Sequence, residues 1–209
     1  MAAETAYRVL KPLVGAALWL RYRSRVYGRE NVPPEGPVIL AGNHISAADP
    51  VLIAVICPRP VHFFAKQELL RYPLVAQAIN AFAIPVDRGR GDLNAMRRAL
   101  RVLRDGGVLG VHYEGTRSRS GVPLRPRGGV GFLVEHTGAP VVPMAVEGTN
   151  QPLPSRAWVW FGRPLRFSRE EAADHQRVAE QVAAEVEWMR RRLRRLAGID
   201  EPTGGVLPG

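Results

Sequence analysis

The residues with the clearest chemical capacity follow a short apolar run, Val38–Ala41, in the segment Gly42-Asn43-His44-Ile45-Ser46-Ala47-Ala48-Asp49-Pro50. An imidazole and a carboxylate five positions apart can meet if the loop folds back where a helix begins. Pro50 suits the first helical position, which makes Asp49 the expected N-cap. A carboxylate on one ring nitrogen fixes the tautomer and raises the basicity of the other. Such a pair is a general base able to activate a hydroxyl. No Ser or Cys occupies a nucleophile elbow, so direct attack by a substrate hydroxyl is expected. Cys57, at the end of an apolar helix, reads as a small buried hydrophobe. His44 and Asp49 lack an obvious third ligand, so no metal is expected. In isolation the pair is equally explained by Asp49 capping its helix and His44 filling the loop.

Three further polar clusters follow apolar runs: Asp87-Arg88-Gly89-Arg90, Glu114-Gly115-Thr116-Arg117-Ser118 and Glu147-Gly148-Thr149. Arg88 and Arg117, with Gly89 and Gly115 allowing close backbone approach, could grip a phosphate monoester through two guanidinium forks and turn N–H groups. Glu114 is expected either to pair with one of these arginines or to hold a substrate hydroxyl. Any one arginine alone would read as part of a surface salt-bridge cluster.

The elements that must position these clusters alternate between strand and helix patterns. Strands are expected at Val38–Ala41, Val61–Ala65, Ile84–Val86, Val108–Tyr113 and Val141–Val146, with Trp158–Phe161 as an edge strand. Helices are expected at Pro50–Cys57, Tyr72–Asn80, Asp92–Arg104 and Gly129–His136. Leu93, Met96, Leu100 and Leu103 give the third of these an apolar stripe. Ser168 and Glu171 form a capping box that opens a long final helix. Its stripe is Val178, Val182, Val186, Met189, Leu193 and Leu196. The arginines at 190, 191, 192, 194 and 195 are expected to complement its dipole. The fold class is therefore one α/β domain, residues 29–199, with a mostly parallel central sheet flanked by helices. In such sheets ligands bind at the carboxyl ends of the strands, where the four clusters would converge. Residues 200–209 read as a flexible tail.

The 209 residues are 46% apolar and 23% charged, which excludes a disordered, collagen-like or coiled-coil chain. One cysteine excludes a disulfide framework and suits a reducing compartment. The formal charge is +10, and only Lys11 and Lys66 of the 29 basic residues are lysine. A surface this basic favours nucleic acid, anionic lipid or phosphorylated substrates. Residues 1–28 are expected to form an interfacial helical segment. They hold the apolar run Leu13–Leu20, too short to span a bilayer, followed by Arg21-Tyr22-Arg23-Ser24-Arg25. Such a helix can lie among anionic headgroups, or it can pack on the domain. No nucleic acid is expected, because between residues 85 and 130 aromatic side chains other than His112 are limited to Tyr113. A purely structural membrane module would have no need of His44, Asp49 and Arg117 together.

Four blocks in order, Asn43-His44 with Asp49, Pro85-Val86-Asp87-Arg88, Glu114-Gly115-Thr116-Arg117-Ser118 and Val142-Pro143-Met144, resemble those of the glycerolipid acyltransferases. Within that family the chain most resembles the 1-acylglycerol-3-phosphate (lysophosphatidate) acyltransferases, over roughly residues 36–150. The resemblance implies a catalytic dyad of His44 and Asp49. It implies an acceptor site of Asn43, Ser46, Arg88, Glu114, Gly115, Thr116 and Arg117, and an acyl-donor side at Val142 and Pro143. The implied reaction moves a fatty acyl group from acyl-CoA or acyl-carrier protein to a glycerol hydroxyl, with no cofactor. Backbone N–H groups around Gly115 would serve the oxyanion, and the protein would sit peripherally on the cytoplasmic face of the membrane. Alternative acceptors are another lysophospholipid or a phosphorylated or mannosylated glycolipid. The chain departs from the family at His112-Tyr113, where Phe-Pro is usual, at Ala81 and Ala83, where a Gly is common, and at Arg127, where a Lys is frequent.

Overall fold

The uncharged run Val38–Gly42 forms a strand buried at all five positions, as a strand covered on both faces must be. In this computed structural model, residues 15–18, 20–68, 83–86, 92–118, 120–152 and 155–199 are described. Their elements are β1 (Arg25–Tyr27), β2 (Val38–Gly42), α1 (Asp49–Ile56), β3 (Val61–Lys66), β4 (Ala83–Val86) and α2 (Leu93–Arg104). Then come β5 (Val108–His112), α3 (Gly129–Thr137), β6 (Val141–Glu147), β7 (Trp158–Phe161), α4 (Arg169–Ala173) and α5 (His175–Ala197). The helix expected at 72–80 and the tail at 200–209 lie outside the described residues.

One sheet holds these strands in the order β1-β7-β6-β2-β5-β3-β4. All neighbours are parallel except β6 and β7. β2 is the hinge of this topology: Leu40 lies opposite Gly110 of β5 on one side and Val142 of β6 on the other. The chain leaves β2 toward β3 and later returns across it from β5 to β6, which opens a crevice at the carboxyl ends of these three strands.

Each sheet face carries its own core. Ile39, Ala41, Leu109 and Ala145 pack with Leu103, Leu133, Val182 and Met189 from α2, α3 and α5. Val38, Leu40, Met144 and Val146 pack on the other face with Leu52, Ile53 and Cys57 of the α1 region and with Tyr22. Cys57 is buried and in no disulfide, as expected of a small hydrophobe.

Several expectations are corrected. Trp158–Phe161 is not the sheet edge, because β1 pairs parallel with it through Arg25–Trp158 and Tyr27–Trp160. The segment 1–28 is therefore not wholly helical: residues 15–18 and 20–22 are helical, but Tyr22 is buried and Arg25–Tyr27 belongs to the sheet. The final helix is two helices. Ser168 and Glu171 do form the capping box, but it opens only the five-residue α4. Asp174 then caps α5 by accepting from Arg177 N–H at 3.0 Å. Leu93 and Leu196, placed on apolar stripes from sequence, are exposed.

Candidate active site

The loop after β2 is organised by one carboxylate. Asp49 is the first residue of α1 and Ala48 its N-cap, so Asp49 does not cap the helix. Its side chain instead turns back over the loop. Oδ2 accepts from His44 Nδ1 at 3.0 Å and from the backbone N–H groups of Ile45 and Ser46, both at 2.8 Å. Oδ1 accepts from the Thr149 hydroxyl at 2.6 Å. Asp49 is 0% exposed, and four donors supply the solvation that burial removed. An ionised carboxylate only accepts, so Nδ1 of His44 carries its proton and Nε2 is left basic. His44 is 8% exposed and lines a cavity of about 210 Å³ with Phe64, Val86, His112, Arg127 and Val130.

Asn43 is fully buried and paired with β6: its amide donates to the Val146 carbonyl at 2.8 Å, and its oxygen accepts from Val146 N–H at 2.9 Å. The structure thus uses the Asn43 side chain as a pin between strands rather than offering it to an acceptor. Ser46 holds the turn, its hydroxyl accepting from Ala48 N–H at 3.2 Å.

The loop after β5 is laced onto the loop after β2. Tyr113 N–H donates to Gly42 O at 3.3 Å, Ser118 N–H to His44 O at 2.8 Å, and His112 Nδ1 to Asn43 O at 2.9 Å. Gly115 turns the chain with φ 69°, a left-handed conformation that glycine adopts without strain. Its N–H is spent on the His112 carbonyl at 2.9 Å, so it is not an oxyanion donor in this structure. Thr116 is exposed and Arg117 half-buried. Arg88 lies outside the described residues. Val142 and Pro143 are buried within β6 and do not line the cavity.

Glu114 is 2% exposed, and neither carboxylate oxygen has a hydrogen-bond partner among the described residues. Burial raises its pKa to about 7, against the opposing pull of the Arg190 charge and the Leu124 N–H. Its nearby cation is thus on α5, and no ion pair joins it to Arg117 among the described residues. Burial likewise raises the neighbouring Tyr113, with the Glu114 charge adding to the effect.

Sequence reasoning gave Thr149, Glu147, Arg190 and Arg194 no individual role at the site, and singled out Arg127 and His112 only as departures from the family. Thr149 was seen only as part of a cluster, yet it completes the shell of Asp49. Its companion Glu147 turns instead toward α5, where it meets Arg190 at 2.6 Å and Arg194 at 3.2 Å. Burial raises Glu147, opposed by both arginines. Arg190 and Arg194 are therefore not dipole complements on a solvated face. Both lie beside the stripe Val186, Met189, Leu193, and that i, i+3, i+4 spacing was the signal that could have found them. Arg127 lines the cavity beside His44. His112 stacks on His44 with ring centroids 4.0 Å apart and planes 12° apart.

A buried, ionised carboxylate orienting an imidazole toward a cavity can run proton transfer for a hydroxyl attacking a carbonyl. The family model described as Acyltransferase matches residues 23–147. The 1-acyl-sn-glycerol-3-phosphate acyltransferase of Bacillus subtilis (strain 168) is 27% identical over 196 residues, covering 91% of this chain and 96% of that protein. The 1-acyl-sn-glycerol-3-phosphate acyltransferase of Borreliella burgdorferi is 30% identical over 149 residues, 69% of this chain and 60% of its own. The fold is similar to that of the 1-acyl-sn-glycerophosphate (LPA) acyltransferase PlsC from Thermotoga maritima, with a TM-score of 0.74 and 25% identity. That match covers 92% of this chain and 82% of the other. With its dyad in place and more than half its length inside the matched region, the chain belongs to the acyltransferase family.

Proposed function

We propose that this acyltransferase moves a fatty acyl group from an acyl thioester, carried by CoA or acyl-carrier protein, to the free hydroxyl of 1-acylglycerol-3-phosphate, forming phosphatidic acid for phospholipid synthesis. The observation that carries the mechanism is the His44 Nδ1–Asp49 Oδ2 bond, with every oxygen of Asp49 engaged. The names of the relatives support the choice of acceptor.

His44 Nε2 takes the proton as the acceptor oxygen attacks the thioester carbonyl, and Asp49 stabilises the imidazolium. As the tetrahedral intermediate collapses, the C–S bond breaks and His44 returns the proton to the departing thiolate. Arg117, Arg127 and, from its sequence position, Arg88 would hold the acceptor phosphate through charge-assisted bonds. That grip places the hydroxyl beside the base. Glu114 would take up a glycerol hydroxyl, since its carboxylate is buried and completes no hydrogen bond among the described residues.

Both substrates carry fatty chains, so a place on an anionic membrane surface suits the reaction. Among the described residues no helix is long and apolar enough to cross a bilayer. The N-terminal segment would instead lie in the headgroup layer, at the cytoplasmic face, with its last turn anchored by Tyr22.

The test is thiol release from a fatty acyl thioester with and without lysophosphatidate. Acceptor-dependent release that disappears in His44→Ala is the expected result. Release that ignores the acceptor, or that survives in a folded His44→Ala chain, defeats the reading.

A further inference from the structure

His112 ends β5 with its ring stacked against two neighbours. One face lies on His44, and Phe63 stands near-parallel to the ring with centroids 5.8 Å apart and planes at 22°. Its Nδ1 lies 2.9 Å from the Asn43 carbonyl. A carbonyl only accepts, so Nδ1 carries the proton and Nε2 is bare. That Nε2 is buried and has no hydrogen-bond partner among the described residues, so no protein group described here relays a proton through it. The ring therefore acts in two ways only: a flat face on the base, and one N–H on the loop that holds it. Asn43 transmits the second hold, being pinned by its own side chain to β6.

We propose that His112 is a positioning residue for His44: its ring, stacked on that imidazole, keeps it in line with Asp49 and shields one of its faces from water, while the N–H on the Asn43 carbonyl contributes to the stability of the loop. The proposal rests on reading His44 as the general base. The charged and titratable groups around the pair are Asp49 from the loop after β2, and Tyr113, Glu114 and Arg127 from the β5–α3 connection. β3 and β4 present Phe63, Phe64 and Val86. Burial, with the His44 charge adding to it, lowers His112 to about 4. His112 is thus neutral at the pH where a histidine base works, as a ring in face contact with an imidazolium must be.

Two substitutions separate the holds. His112→Phe keeps the flat ring and loses the N–H. His112→Asn puts an amide N–H where Nδ1 was and loses the ring. Two quantities are read: kcat and KM against pH by thiol release, and the pH titration of the His44 ring by NMR without substrate.

His112→Phe should hold kcat within about threefold and leave the His44 titration where it was. Its thermal midpoint should fall by about 2–4 °C for the lost hydrogen bond. His112→Asn should lose about tenfold in kcat with KM nearly unchanged, because the base is less well placed. Water reaching the uncovered face favours the charged ring, so the acid limb of kcat and the His44 titration both move to higher pH. Equal effects of Phe and Asn, or an Asn variant in which His44 titrates as in wild type, overturn the proposal. Should the Asn chain not fold, the Phe variant decides: an unmoved His44 titration supports the proposal and a moved one overturns it. The NMR arm needs no acyl acceptor, so an enzyme inactive on lysophosphatidate would count against the acceptor assignment and not against the stack.

Discussion

Asp49 and Glu114 are two carboxylates hidden at the same sheet edge, 0% and 2% exposed, and they are treated in opposite ways. Asp49 meets four donors from two stretches of chain: His44 and the Ile45 and Ser46 N–H groups from its own loop, and Thr149 from the loop after β6. Glu114 completes no hydrogen bond among the described residues, and burial lifts it to about 7 against the pull of the Arg190 charge and the Leu124 N–H. An acid gripped by four donors is fixed in place, which is what orienting an imidazole requires. An acid with no completed hydrogen bond is unfinished until something brings it a donor, which is what a substrate-binding group requires. The contrast separates catalysis from recognition within one crevice.

Asp49→Asn is the most severe way to break the contrast. Asn can keep its oxygen on His44, Ile45 and Ser46 and turn its amide nitrogen to the Thr149 oxygen, so the loop should survive. The charge that stabilises the imidazolium is gone. We expect kcat to fall about 10²–10⁴-fold with KM nearly unchanged, measured by thiol release alongside a thermal melt. Retention of more than a tenth of the wild-type kcat would show that Asp49 only shapes the loop.

Glu114→Gln tests the other half. Losing a charged hydrogen bond to the acceptor should cost about tenfold in kcat/KM. Stability should move the opposite way. The folded value of about 7 lies above the ordinary 4.5, so the native chain holds this proton more tightly than the unfolded one. The stability this contributes is complete below about pH 4.5 and is lost as pH rises through 7. Gln cannot ionise and loses nothing. Urea midpoints of variant and wild type should therefore separate between pH 5 and 8, with the variant gaining; parallel curves would mean that Glu114 ionises freely.

The same contrast explains what the sequence made legible. Central strands were readable because a parallel strand covered on both faces must be an uncharged apolar run, as in Val38–Gly42. β1 was not: it has three residues, two of them exposed, and it pairs with β7, far downstream. The break at Asp174 was hidden because Ser168–Glu171 is a genuine capping box that satisfies one helix start while a second cap follows six residues later. The dyad was readable because it is local, five positions within one loop. The groups that complete it come from afar: Thr149 reaches Asp49 across 100 positions, and His112 reaches Asn43 across 69. Arg190 and Arg194 sat in an arginine run that could equally have been solvated. Their buried partners come from afar: Glu147 on the sheet face beneath α5 and the Gly121 carbonyl.

The gentlest probe removes one donor from the satisfied acid. Thr149→Val keeps the shape of the side chain and deletes the hydroxyl that meets Asp49 Oδ1 at 2.6 Å. That oxygen is then buried without a partner, at a cost of about 1–3 kcal/mol in stability. The three donors on Oδ2 remain, so the carboxylate stays against His44 with one rotational restraint fewer. Turnover should fall only severalfold, about 3–10-fold, far less than in Asp49→Asn. Denaturant midpoints and thiol release on the same preparation read both effects. A loss as deep as that of Asp49→Asn would mean that Thr149, and not the loop N–H groups, fixes the carboxylate; no loss of stability would mean that Oδ1 does not depend on this hydroxyl, and the difference from Glu114 would shrink accordingly.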